Sequence, residues 1–467
     1  VLDFDDSKVY ENVFHKGKWA GIFQFTENGA QALCKKAKPN SIIDISAITS
    51  IYRPGPLSAN VDKSYIEAKK APGLITYLND IHRELTEETY GFLIFQEQIA
   101  MLAHKLGKNI SLDEGNKLRK ILTKKGGGSK KKQFDSLRSR FIEGCVEKNI
   151  RERDAVEMWE KFEFFSGYGF NKSHAVSYSM ISYQCAWLLN YYEAEWMAAF
   201  LDKEPETRKE KAINVAKSFG YYIEPLNVNT SGRTWEISAD ATTLIQPLTS
   251  IKGLGDAAID QIFAGRPFNK VEDFLFNEEM RYSKLNKKAI DVLIRSNAMR
   301  TLIDDRFTGT KHFWSAIAVD RPRKMKNLED NIKLYAPEGN FTTEEQIHFL
   351  TELTGQFPLA KVVDDETLRK LEEMHVPPLS EYDRQLGLAW CIPRKIILKK
   401  TATGKDYLLV EVTDSNSSNI RVRCWGVDPN MGDILELNKP YLMKPAYNEQ
   451  WGFSTRGRVT KYWKKLA

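Results

Sequence analysis

The sequence predicts a multidomain α+β protein, and three observations carry that prediction. Its 467 residues are too many for one core; at roughly 150 residues per domain, about three domains are expected. Residues 1–205 repeat apolar positions at helical spacing. From residue 379 the pattern changes to short alternating segments separated by turn residues, as in a small β-barrel.

The elements follow in order. Phe92 to Leu106 reads as a helix, and so does Ile181 to Leu201, with Trp187, Leu188, Tyr191, Trp196 and Phe200 on its apolar positions. Between them KKGGGSKKK, Lys124 to Lys132, reads as a loop tip. Residues 206–300 mix short helices with a strand near Tyr221 to Val228, and residues 301–378 read as a charged, helical or irregular connector ending at Pro377-Pro378. Beyond it, Ile396–Lys400, Tyr407–Thr413, Ile420–Trp425 and Tyr441–Pro445 read as strands. Ile420, Val422 and Cys424 alternate with Arg421, Arg423 and Trp425, which predicts a barrel wall with a basic outer face.

Composition narrows the class. A hydrophobic fraction of 42% with 28% charged residues excludes a collagen-like or wholly disordered chain. The net charge is only +6, so a nucleic-acid surface must be local. Five cysteines without a CxxC pair read as reduced thiols of a cytoplasmic protein. Ala175 to Tyr192 is uncharged over about a membrane's length. It carries Ser177, Ser179, Ser182, Gln184 and Asn190, which favours a buried helix over a span, and no membrane partner is expected.

Two segments carry the chemistry. Between residues 117 and 140 lie Lys117, Arg119, Lys120, Lys124, Lys125, Lys130, Lys131, Lys132, Arg138 and Arg140, opposed only by Asp135. Such a run is either a solvated helix face or a phosphate site, where an arginine fork would bind with two parallel hydrogen bonds. The second segment, FFSGYGFNKSH at Phe164 to His174, sets two glycines around Tyr168, then an amide, an ammonium, a hydroxyl and an imidazole before a long helix. Donors at a helix start suit an anion, and a tyrosine suits stacking on a base. A plain helix cap made by Ser173 is the competing reading.

Taken together and in order, these segments resemble the C-family replicative polymerases, the α subunits of bacterial DNA polymerase III. GIFQF at Gly21 to Phe25, YRPGPL at Tyr52 to Leu57, YGFLIFQEQ at Tyr90 to Gln98, KLRKILTKK at Lys117 to Lys125 and SGYGFNKSHA at Ser166 to Ala175 carry the resemblance. It implies a fingers domain over 1–205, a helix-hairpin-helix region over 206–300, the connector over 301–378 and an OB-fold over 379–467.

The resemblance also implies roles. Arg119 and Lys120 would contact the triphosphate, with lysine replacing the family's second arginine. Tyr168 would stack on the nascent base pair, with Lys172 and His174 near the nucleotide or template. Arg53, Lys124 and Lys125 would face DNA. Lys252-Gly253-Leu254-Gly255 has the hairpin form, in which backbone amides hold a duplex phosphate. A degenerate second copy is expected near Leu285 to Ala298, with Asn297 where the family often has glycine. Arg421, Arg423 and Trp425 would hold single-stranded template, unless they form an ordinary exposed strand face.

The implied reaction is template-directed transfer of a deoxynucleotide to a primer end with Mg²⁺. Expected partners are primer-template DNA, deoxynucleoside triphosphates, a sliding clamp and other replisome subunits. The carboxylates that hold the metal ions sit in a palm domain that the family places before GIFQF. Asp3, Asp5 and Asp6 read as a polar turn rather than as that cluster, so no catalytic or metal residue is expected here. Together with Val1, this reads as a piece of the polymerase that lacks the palm. A non-catalytic DNA-binding module and the family's error-prone repair branch are the alternative readings.

Overall fold

The computed structural model describes residues 2–123, 129–165, 169–278, 284–382, 384–401, 403–415, 419–426, 435–448, 452–457 and 459–466, with the backbone alone for 119–123, 129–131 and 459–460. The chain divides into two compact units, Val1–Trp196 and Met197–Ala467.

The first unit is helical. Its main helices are α1 (Ile42–Ile51), α2 (Val61–Lys70), α3 (Gln96–Leu106), α4 (Leu112–Thr123), α5 (Ser129–Glu147), α6 (Glu152–Phe165) and α7 (Lys172–Tyr191). The expected loop tip therefore ends earlier than the lysines do: Lys130 to Lys132 lie in the first turn of α5, while 124–128 fall outside the described residues. The sequence of α1, IIDISAITSI, has no polar stripe along one side, and none of its residues is exposed. It lies against α7, where Ser46 Oγ donates to Ser179 Oγ at 3.0 Å in the buried seam. Small hydroxyl residues on both helices let them approach and satisfy each other.

Burying α1 also buries Asp44. Its carboxylate takes the Lys69 ammonium of α2 at 2.5 Å and hydroxyl hydrogen bonds from Tyr65 and Tyr90 at 3.0 and 3.2 Å. Burial, and then the Asp44 charge, push the Tyr65 phenol well above its ordinary range. A second core gathers Phe141, Trp159 and Phe162 between α5 and α6, with ring centroids 5.1–5.9 Å apart. Gly144 of α5 passes so close to the backbone at 107–108 that a Cβ there would strike it.

Helix α7 does not bury every side. Ala175, Ser179, Ser182, Tyr183, Ala186 and Leu189 face inward, whereas Tyr178, Ile181 and Leu188 are more than one-third exposed. No helix among the described residues is long and apolar enough to cross a membrane.

In the second unit, helical chain that includes Lys209–Ser218 leads into a three-stranded sheet of β1 (Tyr222–Glu224), β2 (Glu236–Ile237) and β3 (Thr243–Ile245), in the order β1-β3-β2. Helices α8 (Asp256–Gly265), α9 (Lys287–Arg295), α10 (Met325–Tyr335), α11 (Thr343–Thr354) and α12 (Asp365–Glu373) follow. Residues 301–378 are thus built mainly of capped helices rather than irregular chain. Thr342 opens α11 with a reciprocal capping box to Glu345, and Asp364 caps α12 through Thr367 N. One apolar cluster takes in Leu226, Ile251, Ile259, Ile290, Phe313, Leu328 and Leu353, so residues on both sides of position 300 share a core.

The C-terminal part is a curled seven-stranded sheet of the OB type. Its strands are β4 (Ala389–Lys400), β5 (Asp406–Thr413), β6 (Ile420–Trp425), β7 (Tyr441–Met443), β8 (Ala446–Asn448), β9 (Gly452–Arg456) and β10 (Trp463–Lys465), in the order β10-β7-β4-β5-β6-β9-β8. Leu408, Val410, Val412, Val422 and Cys424 fill the inside, as the alternation along β6 requires.

Candidate functional site

Two distant motifs of the first unit are fastened together by backbone and side chain. Phe170 and Phe95 form a parallel bridge: Phe170 N donates to Ile94 O at 3.1 Å and Gln96 N to Phe170 O at 2.9 Å. Each residue of the Gln96-Glu97-Gln98 run then has its own task. Gln96 Nε2 donates to Gly169 O at 2.6 Å. Glu97 accepts from Asn171 Nδ2 at 2.7 Å and from Lys172 N at 2.9 Å. Gln98, buried, accepts from Ile94 N and Phe95 N, both at 2.9 Å, and donates to Leu85 O at 3.1 Å and Thr89 Oγ1 at 2.7 Å. These three roles were not read from the sequence, where QEQ served only as a mark of resemblance, because the Gln96 and Glu97 contacts span 73 to 75 positions.

The start of α7 is capped, though not by the residue that the competing reading named. Asn171, not Ser173, caps the helix: its Oδ1 accepts from His174 N at 2.8 Å and from Ser173 Oγ at 2.7 Å. Asparagine reaches the third amide from an extended backbone more directly than a serine already inside the first turn. The first free amide holds the Glu97 carboxylate, which suits the positive end of the helix dipole. Lys172 pairs with Glu88 at 2.5 Å. The cations and amides that an incoming anion would meet are thus already met by Glu88 and Glu97.

Fastening this segment lines up a row of rings. The Arg53 guanidinium, at the cap of the short helix Pro54–Ser58, lies 5.0 Å from the Phe170 ring centre, a cation–π distance. From Phe170 the centroid spacing is 5.5 Å to His174, 4.0 Å to Tyr178 and 5.3 Å on to Phe23. His174 is exposed, and Phe23 and Tyr178 are 36% and 38% exposed. His174 and Tyr178 stand one helical turn apart, so their rings share a face. Phe23 is presented by the GIFQF turn, in which Gly21 and Gln24 take φ of 65° and 67°, and Ser182 Oγ holds its carbonyl at 2.8 Å. Tyr168, Lys124 and Lys125 lie outside the described residues. Arg119 and Lys120 lie on the backbone of α4.

In the second unit the hairpin sequence makes its turn as glycine permits. Gly253 has φ +89°, open to glycine at no steric cost. Gly255 precedes α8 without a side-chain cap, so the first amides there meet no capping side chain. Lys252 N donates to Leu353 O at 2.9 Å, and its ammonium lies 3.6 Å from Glu352. At the second copy Asn286 caps α9, and Asn297 adopts φ +64°. Asparagine is among the few residues that tolerate this region.

On the outer face of the OB sheet the register builds a row across four strands. Lys399 pairs with Tyr407, Tyr407 with Trp425, and Trp425 with Arg456. The Tyr407 and Trp425 rings lie 4.6 Å apart at 32°. The next row but one places Lys395, Glu411 and Arg421 side by side, and Arg421 pairs with Glu411 at 3.1 Å. Arg423 stands opposite Leu409 between these rows. The basic face is therefore partly neutralised at Arg421, while Lys399, Tyr407, Trp425 and Arg456 form a cation–aromatic–aromatic–cation row. Lys399, Tyr407 and Arg456 were missed because cross-strand register is not visible in one strand's sequence.

Asp3, Asp5 and Asp6 serve local structure. Asp3 accepts from Asp5 N at 2.9 Å, and Asp6 accepts from Lys8 N at 3.0 Å and from Tyr191 Oη at 2.6 Å. Among the described residues no group of three or more His, Cys, Asp or Glu side chains is placed to hold a metal ion. The residues described thus do not fit an Mg²⁺ site.

Comparison with known proteins agrees with this geometry. Residues 1–149 match the finger domain of the bacterial DNA polymerase III alpha subunit, and residues 220–308 match a helix-hairpin-helix motif. The chain is 30% identical over 456 residues to "DNA polymerase III subunit alpha" of Aquifex aeolicus, covering 96% of this chain and 38% of that protein. It is 30% identical over 429 residues to the Bacillus subtilis protein of the same name (90% and 36%), and 32% identical over 309 residues to that of Thermus aquaticus (64% and 24%). It spans less than two-fifths of the length of these relatives. With the finger-domain match taking in Gln96–Gln98 of the clasp and the helix-hairpin-helix match taking in both hairpin turns, the chain belongs to the family of bacterial DNA polymerase III alpha subunits.

Proposed function

We propose that this chain handles the incoming nucleotide and the primer-template in template-directed DNA synthesis. In that reaction the primer's 3′ oxygen attacks the α-phosphate of a deoxynucleoside triphosphate and pyrophosphate leaves. Mg²⁺ would supply charge neutralisation in the whole enzyme; none of the residues described is assigned to it. Arg119 and Lys120 would meet the triphosphate, with Tyr168, Lys172 and His174 nearby and Arg53, Lys124 and Lys125 toward DNA. The Lys252-Gly253-Leu254-Gly255 turn would grip duplex phosphates, and Arg421, Arg423 and Trp425 would hold unpaired template. A sliding clamp and other replisome subunits are the partners expected in a cytoplasmic polymerase.

The observation that carries this reading is the clasp between Gln96–Gln98 and Gly169–Lys172, which holds an exposed row of rings beside Arg53. Stacking on such a row is worth roughly 1–3 kcal/mol per base. Primed DNA with 2-aminopurine at the first unpaired template position tests it. Titration with the 467-residue protein should quench the fluorescence, and Phe23→Ala with Tyr178→Ala should weaken that binding about ten-fold. Equal affinity of the double variant would remove the row from the interface.

A further inference from the structure

A cavity of about 660 Å³ opens in the first unit between α2, the Leu74–Leu78 segment and α6. We propose that it is a binding site for an uncharged aromatic molecule bearing a hydrogen-bond acceptor, and that its occupancy stiffens the Gly169–Phe170 segment. The inference goes beyond the polymerase reading and does not depend on it.

Size and lining set the ligand class. Small-molecule sites run from roughly 300 to 1,000 Å³ and are mostly apolar with a few fixed polar groups. Here Leu74, Ile75, Phe92, Met158 and Phe165 form much of the wall, and Leu74 is left 84% exposed. His82 lines the same space. Its Nδ1 accepts from Leu78 N at 3.1 Å, so the neutral ring carries its proton on Nε2 and offers a donor. Burial, aided by Lys161, lowers its pKa to about 4, so the ring is neutral at pH 7. Glu67, Asp154 and Glu157 also line the cavity. The one lysine among the described residues that line it, Lys161, is engaged by Glu157 at 2.9 Å, so an anionic ligand is disfavoured.

The walls also explain the coupling. Phe165 O accepts from Gly169 N at 2.7 Å. Leu93, which also lines the cavity, is followed by Ile94, whose carbonyl accepts from Phe170 N at 3.1 Å. A ligand that presses on Phe165 and Leu93 therefore touches both chains from which the Gly169–Phe170 backbone hangs.

Quinoline, a flat weak base that is uncharged at neutral pH, is the probe. Saturation-transfer NMR with the whole chain should detect its binding, and quinoline-4-carboxylate should give none. Ala71→Trp, which fills the cavity, should weaken binding about ten-fold or more; Ser64→Phe on the exposed rim does the same job if the first variant misfolds by circular dichroism. Hydrogen exchange at the Gly169 and Phe170 amides should slow in the presence of quinoline. Binding that persists in a folded cavity-filling variant, or no binding at all, overturns the site; binding with unchanged amide exchange overturns the coupling.

Discussion

Replacing Gln98 by alanine should loosen the clasp from beneath. Its side-chain oxygen is the acceptor for Ile94 N and Phe95 N, and those residues are 4% and 0% exposed. The alanine variant leaves both donors buried and unpaired, and Leu85 O loses the Gln98 amide. Each unsatisfied buried group costs about 1–3 kcal/mol, so the two amides alone account for about 2–6 kcal/mol. Thr89 is less affected, since its hydroxyl already donates to Phe92 O at 2.6 Å. The cost falls on the segment that bridges to Phe170, so it should appear as local opening. Hydrogen exchange of the Ile94 and Phe95 amides should accelerate at least about thirty-fold, the equivalent of 2 kcal/mol. Gln98→Glu keeps the acceptor oxygens and should protect those two amides better than alanine does. Unchanged exchange in Gln98→Ala would mean that water or a backbone shift satisfies these amides, and the reasoning would fail.

Arg119→Ala should raise the apparent nucleotide KM of the reconstituted polymerase by about ten-fold or more, because a charge-assisted phosphate bond is worth about 1.5–3 kcal/mol. Lys130→Ala, in the first turn of α5, should raise it less, and equal effects would count against the assignment of Arg119. Gly253→Val forces a branched residue to φ +89° and should weaken duplex binding by the whole chain, measured by fluorescence anisotropy across a salt series. Wild-type affinity should fall steeply with salt, and full binding by the variant would refute the hairpin contact. Lys69→Met leaves the Asp44 carboxylate buried without its cation and should cost about 3–5 kcal/mol in urea denaturation. The His82 imidazole is held at about 4, below its unfolded value of 6.5. As pH falls from 6.5 toward 4 the unfolded chain takes up a proton that the folded chain refuses, so stability declines over that window. His82→Gln should flatten that decline in thermal melts, and an unchanged acid limb would argue that the ring is not buried in solution.

The helices and strands with strong periodicity were legible. The β6 alternation of Ile420 to Trp425 places Val422 and Cys424 inside, and the uncharged run 175–192 folds as a helix with one buried face. The hairpin turn was legible because Gly253 marks it, and Asn297 could be placed because asparagine shares that backbone region. What failed to show were relations between segments. The Glu97 contact to α7 spans 75 positions, and no local propensity announces it. The Lys399–Tyr407–Trp425–Arg456 row needs three strand registers at once. Residues 301–378 read as a connector because charged residues are scattered through them and Pro377-Pro378 ends them, yet apolar residues such as Phe313, Leu328 and Leu353 suffice to join a core begun upstream.

That shared core bears on how such proteins can be recombined. A chimaera joined at 300/301 would set Ile290 and Leu293 from one parent against Phe313 and Ile317 from another, and volume mismatches there typically cost 1–3 kcal/mol apiece. The Lys252 amide would in addition lose a carbonyl partner inherited from the same parent. Genetic exchange is therefore expected to move 226–353 as one block, and the hairpin turns carry their supporting helices with them whenever they change hands.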